Sequence, residues 1–273
     1  MSYKMIVLDL DDTLLRDDQS ISLRTKQSLL QAQEMGTKVV LASGRPTSGM
    51  QSIAEELRLA DYGSYLLSFN GGKIINCQTK EVMFKSTLSI EDVNLLHKIS
   101  QREGVFIHTY IGDEIITAQT NPYSEIESKI TGLPIRLVPD FIQGVTEPVV
   151  KVLLVADPEK LILAEKNIQK ELADRFSIVR SKPYFLEFTK KGITKGESLH
   201  HLINAIGIMQ EEVIAVGDSY NDLSMIEFAG LGVAMENASA DIKEKANYVT
   251  DSNMNDGVAK VVEKFLLNPV MMK

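Results

Sequence analysis

Two short apolar runs near opposite ends of the chain, Met5–Leu8 and residues 213–216, each break off into an acidic loop. This pairing constrains the fold more than any other feature. Apolar runs flanked by turn residues and alternating with amphipathic stretches build parallel sheets covered by helices. Residues 22–35 carry apolar side chains at helical spacing and stop at Gly36, after which Lys38–Ala42 reads as a valine-rich strand. Tyr65–Ser68 and Lys73–Asn76 read as two extended pieces joined through Asn70, Gly71 and Gly72, a sequence suited to a tight or bulged turn. Leu231–Ala234 supplies a further late strand. The expected fold is α/β, a doubly wound parallel sheet assembled from both ends of the chain.

Residues 83–183 have a different texture. Candidate strands at 105–110, 114–118, 149–156, 176–179 and 184–188 come in pairs between helical stretches, the pattern of a mainly antiparallel α+β domain. Two helix-then-two-strands passages, 91–118 and 158–188, hint at a duplicated plan. A chain of 273 residues is long enough for two such domains, each with its own core. Its single cysteine, Cys77, cannot form an internal bridge and stands apart from any metal-binding Cys or His cluster, which fits a reducing compartment. Acidic residues outnumber basic ones 37 to 29, and the net charge of −8 repels nucleic acid. No apolar run reaches the roughly 18 residues of a membrane span. The chain is expected to be cytoplasmic, with neither nucleic acid nor membrane as partner.

Four short pieces carry chemistry. Asp9-Leu10-Asp11-Asp12-Thr13 places three carboxylates and a hydroxyl directly after a hydrophobic strand, where catalytic groups of α/β folds gather. A polar turn that caps the next helix would use the same residue types. Gly217-Asp218-Ser219-Tyr220-Asn221-Asp222 also follows an apolar strand and opens a helix, so the two acidic loops can converge at one sheet edge; helix capping by Asp218 or Asn221 is the plainer alternative. Grouped carboxylates repel unless a cation joins them, and oxygen-only ligands select a hard ion, magnesium rather than zinc. Ser43-Gly44-Arg45 ends a strand with a hydroxyl and exposed backbone N–H groups, which is either an anion cradle or an ordinary turn. Thr194-Lys195-Gly196-Glu197 matches a capping box and puts Lys195 in a first helical turn, where a base is unfavourable without an anion nearby; a lysine simply solvated at the surface is the plainer alternative.

Taken together and in this order, the four pieces resemble the signature of the haloacid dehalogenase superfamily of phosphohydrolases, in its Cof-type branch of sugar and metabolite phosphatases. The likeness spans the whole chain, from the Asp9 motif through a cap inserted between Ser43-Gly44-Arg45 and Lys195 to Asp256-Gly257-Val258-Ala259. It implies a Rossmann-like core at 1–82 and 187–273 and a specificity-setting α+β cap at 83–186. It implies a magnesium-dependent phosphatase acting on small phosphorylated metabolites, with Asp9 as nucleophile and Asp11 as general acid and base. Thr13 would orient these carboxylates. Asp9, the Asp11 carbonyl and Asp218 would hold Mg2+, helped by Ser219 or Asp222. The Leu10 and Gly44 N–H groups, Ser43, Lys195 and Asn221 would receive the phosphate. Cap residues His108, Tyr110, Arg136, Tyr184 and Glu187 are candidates for contact with the leaving group. A phosphomutase and a catalytically silent phospho-ligand-binding protein are the rival readings; the first needs a second basic site, the second a missing catalytic residue.

Overall fold

The computed structural model describes residues 3–268 and separates into two units, Met1–Phe84 with Thr194–Lys273, and Lys85–Ile193. The first unit contains β1 (Met5–Leu8), β2 (Lys38–Ala42), β3 (Tyr65–Ser68), β4 (Lys73–Asn76) and β5 (Val82–Lys85). The second contains β6 (Phe106–Ile111), β7 (Glu114–Thr117), β8 (Ile135–Leu137), β9 (Val152–Val155), β10 (Phe176–Lys182) and β11 (Phe185–Lys190). The chain then returns to the first unit for β12 (Val213–Gly217), β13 (Leu231–Ala234) and β14 (Tyr248–Val249).

Among the described residues, the first unit is an eight-stranded sheet in the order β14-β13-β12-β1-β2-β3-β4-β5. Its pairings from β14 to β3 are parallel, and β4 returns antiparallel to β3. Both faces are covered, which is why the central strands are apolar without alternation. Ile6, Leu8, Val39, Leu41, Ile214 and Val216 pack into one core; Met5, Val7, Val40, Ala42, Val213 and Ala215 pack into the other with Leu199, Leu202 and Ile203 of the helix Lys195–Ile206. Strand order reverses between β1 and β12, the place where open α/β sheets bind ligands.

The second unit is a six-stranded sheet ordered β10-β11-β9-β6-β7-β8, antiparallel except between β7 and β8. Ile107, Val152, Leu154, Leu186 and Phe188 form a core with Val93 and Leu96 of the helix Ile90–Glu103 and Leu161 and Ile168 of the helix Pro158–Leu172. The boundaries expected at 82/83 and 186/187 are corrected to 84/85 and 193/194. The second expectation cuts through β11, which stays paired with β10 as far as Lys190. Three strands have no counterpart in the sequence reading: β5, β8 and β14.

Candidate active site

Leu8, at the end of β1, lies in register with Val216 of β12, so Asp9 and Asp218 leave neighbouring strands at the same edge. Asp9 N–H still donates to the Val216 carbonyl at 3.0 Å. Beyond it, residues 10–14 make an irregular turn with Asp12 in the left-handed region at φ 62°, which short polar side chains tolerate. The turn aims the Thr13 hydroxyl at Asp218, where Oγ1 donates to Oδ1 at 2.8 Å. Thr13 therefore grips the second acidic loop and caps no helix.

The second loop folds back on itself. Asp222 occupies the position before the helix Leu223–Phe228, but its Oδ2 accepts the N–H groups of Asp218 and Ser219, each at 3.0 Å. A Cβ on Gly217 would stand 2.4 Å from the Asp222 Cβ, so this approach requires glycine. Ser219 Oγ donates to the other Asp218 oxygen at 2.8 Å.

Lys195 closes the cluster. It is fully buried, and its Nζ lies 2.5 Å from Asp9 Oδ1 and 2.5 Å from Asp222 Oδ1. The two carboxylates supply the anion that a base in a first helical turn requires. Thr194 caps that helix by accepting the Glu197 N–H at 3.1 Å, while the Glu197 carboxylate turns towards His201, 3.6 Å away, in place of the reciprocal bond of a full box. Gly196 sits where any Cβ would meet the Ser224 carbonyl oxygen at 2.2 Å. Gly196→Ala is thus expected to push this helix off its seat and cost about 1–3 kcal/mol, read by urea denaturation. Unchanged stability would contradict this packing argument.

Asp9, Asp218 and Asp222 bring carboxylate oxygens within 4.8 Å of one another, all buried. One ammonium does not balance three carboxylates. Burial, together with Asp222, raises the Asp9 pKa well above its ordinary value despite Lys195. Burial and Asp222 push Asp218 up to about 6. Burial opposes the charge on Lys195, but Asp222 and Asp9 outweigh it and hold the ammonium above its usual pKa. An oxygen-only set with excess negative charge fits a hard divalent cation.

Ser43 is buried at the end of β2, and its Oγ accepts the Arg45 N–H at 3.1 Å. Asn70, absent from the sequence reading as a site residue, stands against this loop: a Cβ on Gly44 would lie 3.2 Å from its Nδ2. Asn221 Nδ2 donates to Asn70 Oδ1 at 3.0 Å, joining the second acidic loop to the β3–β4 turn. The Asn-Gly-Gly turn, with Asn70 at φ 55°, was the available signal. Leu10 is buried at the start of the first turn. Asp11 differs from the other aspartates. Its carboxylate is absent from the cluster and faces Arg45.

Within the second unit, His108 is buried with neither ring nitrogen hydrogen-bonded, and burial beside Lys151 lowers its pKa to about 3. Tyr110 donates to Glu127, Glu187 pairs with Lys151 at 3.0 Å, Tyr184 stacks on Tyr123, and Arg136 pairs with Glu114.

A model of the haloacid dehalogenase-like hydrolase family matches residues 6–262. A 5-amino-6-(5-phospho-D-ribitylamino)uracil phosphatase of Bacillus subtilis is 30% identical over 98% of this chain and 97% of its own. The crystal structure of a haloacid dehalogenase-like hydrolase from Bacteroides thetaiotaomicron is 46% identical, covers 96% of this chain and 99% of that one, and superposes with a TM-score of 0.91. A subclass IIB sugar phosphatase is 27% identical over 95% of this chain and 98% of its own, with a TM-score of 0.80. No helix among the described residues is long and apolar enough to cross a membrane. With paired acidic loops at one sheet edge, a lysine between their carboxylates and these likenesses along its whole length, the chain belongs to the haloacid dehalogenase-like hydrolases, as a Cof-type phosphatase.

Proposed function

We propose that the protein is a magnesium-dependent phosphomonoesterase acting on small phosphorylated metabolites through an aspartyl-phosphate on Asp9. The observation that carries this reading is the buried Asp9 carboxylate, in contact with Lys195 and close to Asp218 and Asp222. Asp9 and Asp218, with the Asp11 carbonyl, would hold Mg2+, which when bound offsets carboxylate repulsion and withdraws charge from the phosphoryl oxygens. Asp222 has Oδ1 on Lys195 and Oδ2 on two backbone N–H groups, so its part is to brace the loop. Ser219 supports Asp218 in the same way.

In the first step an Asp9 oxygen attacks phosphorus, and the bond to the ester oxygen breaks with its electron pair on the leaving alkoxide. Asp11 donates the proton that makes it an alcohol. In the second, water attacks phosphorus, Asp11 takes the water proton, and the Asp9–phosphorus bond breaks to release phosphate. Lys195, Ser43, Asn221 and the Leu10 and Gly44 N–H groups hold the phosphoryl oxygens as charge builds on them.

The unit 85–193 selects the substrate in this reading. Sugar phosphates and similar polyol esters are the class favoured by the sugar phosphatase neighbour and the ribitylamino-uracil phosphatase relative. A phosphomutase must bind a second phosphate, yet Lys151, Arg136, Arg175 and Arg180 of this unit each face a carboxylate.

Phosphate release from a panel of sugar phosphates, nucleotides, flavin and pyridoxal phosphates and an aryl phosphate tests the proposal. Release that stops with chelator and returns with Mg2+ is expected; a folded protein silent on every member would refute it.

Metal binding is also expected to depend on pH. Asp218, with a folded pKa of about 6, binds its proton more tightly than in the unfolded chain. Its protonation therefore favours the metal-free fold at low pH, and that contribution is lost as pH rises through about 6. The thermal midpoint should thus gain more from Mg2+ at pH 7.5 than at pH 5, where protons compete. A shift equal at both values would show that the ion binds elsewhere.

A further inference from the structure

Arg45 holds the Asp11 carboxylate at two points. Its Nη2 lies 2.5 Å from Asp11 Oδ1 and its Nε 3.0 Å from Asp11 Oδ2, a fork that engages both carboxylate oxygens. The same Nη2 donates to Gln19 Oε1 at 2.5 Å. Gln19 is held in the left-handed region at φ 65°, in a turn closed by Arg16 N–H to the Ser20 carbonyl at 2.9 Å. At its backbone, Arg45 donates its N–H to Ser43 Oγ at 3.1 Å and accepts the Phe69 N–H at 3.0 Å. One residue therefore ties together the hydroxyl of the anion cradle, the turn that carries Asn70, and the carboxylate of Asp11.

This contact contributes little to folding. The Asp11 side chain is 43% exposed and that of Arg45 12%, and ion pairs with a solvent-exposed partner are weak. What the fork supplies is direction, because two parallel N–H donors fix the plane of a carboxylate as well as its place. An acid serves only when it stands within hydrogen-bond reach of the oxygen it must protonate, and an untethered aspartate is free to occupy other rotamers.

We infer that Arg45, backed by Gln19, is the positioning residue for Asp11, setting where its proton is delivered to the leaving oxygen. The inference rests on the reading of Asp11 as the acid. In the protonated form one Asp11 oxygen keeps a guanidinium contact while the other carries the proton. After transfer both oxygens return to the fork, with the carboxylate ready to take a proton from water. No atom of Arg45 meets the reacting phosphorus in this scheme.

The test uses two substrates of similar shape, phenyl phosphate and 2,4-dinitrophenyl phosphate. Phenolate is the more basic leaving group and needs the proton; dinitrophenolate departs without it. In Arg45→Met, kcat/KM on phenyl phosphate, which reports the steps up to departure of the leaving group and excludes the water step common to both esters, is expected to fall by about 10–100-fold more than kcat/KM on the dinitrophenyl ester, since a general acid supplies on the order of 10²–10⁴. Arg45→Lys, which keeps the charge on one nitrogen without the two-point fork, should recover part of that difference and covers the case in which the methionine variant folds poorly. Asp11→Asn should show the same selective loss, and adding Arg45→Met to it should widen the difference no further. Equal losses on both esters in the Arg45 variants, beside a selective loss in Asp11→Asn, would overturn the positioning role alone. A loss of kcat/KM in Asp11→Asn that is equal on both esters would overturn the acid assignment and this inference with it. Dinitrophenyl phosphate turnover that survives Asp9→Asn would count separately, against the phosphatase mechanism itself.

Discussion

Asp9→Asn is expected to cut phosphate release at least about 10³-fold, because the amide keeps the shape of the side chain and removes the nucleophile on which both steps of the proposed reaction depend. Lys195 retains Asp222 as a partner at 2.5 Å, so the loss should come without unfolding. The metal-free variant should even be more heat-stable than the parent. The Asp9 pKa is raised in the folded state, chiefly by burial, so protonation there favours the fold at low pH, and that contribution is lost as pH rises through the folded pKa. At neutral pH the buried charge weighs against the fold, and the amide removes it. Parallel assays of phosphate release and of the thermal midpoint with chelator check both halves. A rate within tenfold of the parent would end the covalent reading; a lower midpoint would mean that Asp9 supports the fold through Lys195 more than it strains it.

Lys195→Met is expected to affect stability and activity together. The methionine fills similar volume but leaves Asp9 and Asp222 buried and facing each other without their shared cation. Breaking a buried pair from one side costs about 3–5 kcal/mol, because the partner charge stays in a poor solvent. Urea denaturation in chelator should show that loss, and Mg2+ should recover more stability in the variant than in the parent. Phosphate release should fall as well, since in the proposed reaction the phosphoryl oxygens lose a full positive charge. A variant as stable as the parent without metal would show that the aspartates are already protonated there.

What could be read from residue order follows from burial. Met5–Leu8, Lys38–Ala42 and Leu231–Ala234 are covered on both faces and stand out as unbroken apolar runs. β5, β8 and β14 are short and largely uncovered, so nothing in their sequence selects a strand. Asp9, Asp218, Asp222 and Lys195 were legible because strand ends and a helix start fix where such residues emerge. The Arg45–Asp11 fork and the Asn70–Asn221 bond were not, since each depends on where side chains from separate loops point. Glu197 shows the same limit within one turn: spacing suggested a reciprocal cap, and the side chain went to His201 instead.

The pairing of β1 with β12 also sets when this enzyme can come into being. Thr13 and Asp218 touch across 205 positions, so the first acidic loop leaves the ribosome long before its counterpart has been synthesised. Contacts so distant in sequence form late, after the entropy of closing the loop has been overcome. Until then Asp9 has beside it neither Lys195 nor the carboxylates of Asp218 and Asp222. Hydrolytic activity should therefore arise in one step with completion of the sheet, and fragments that end before residue 213 should turn over no phosphate esters.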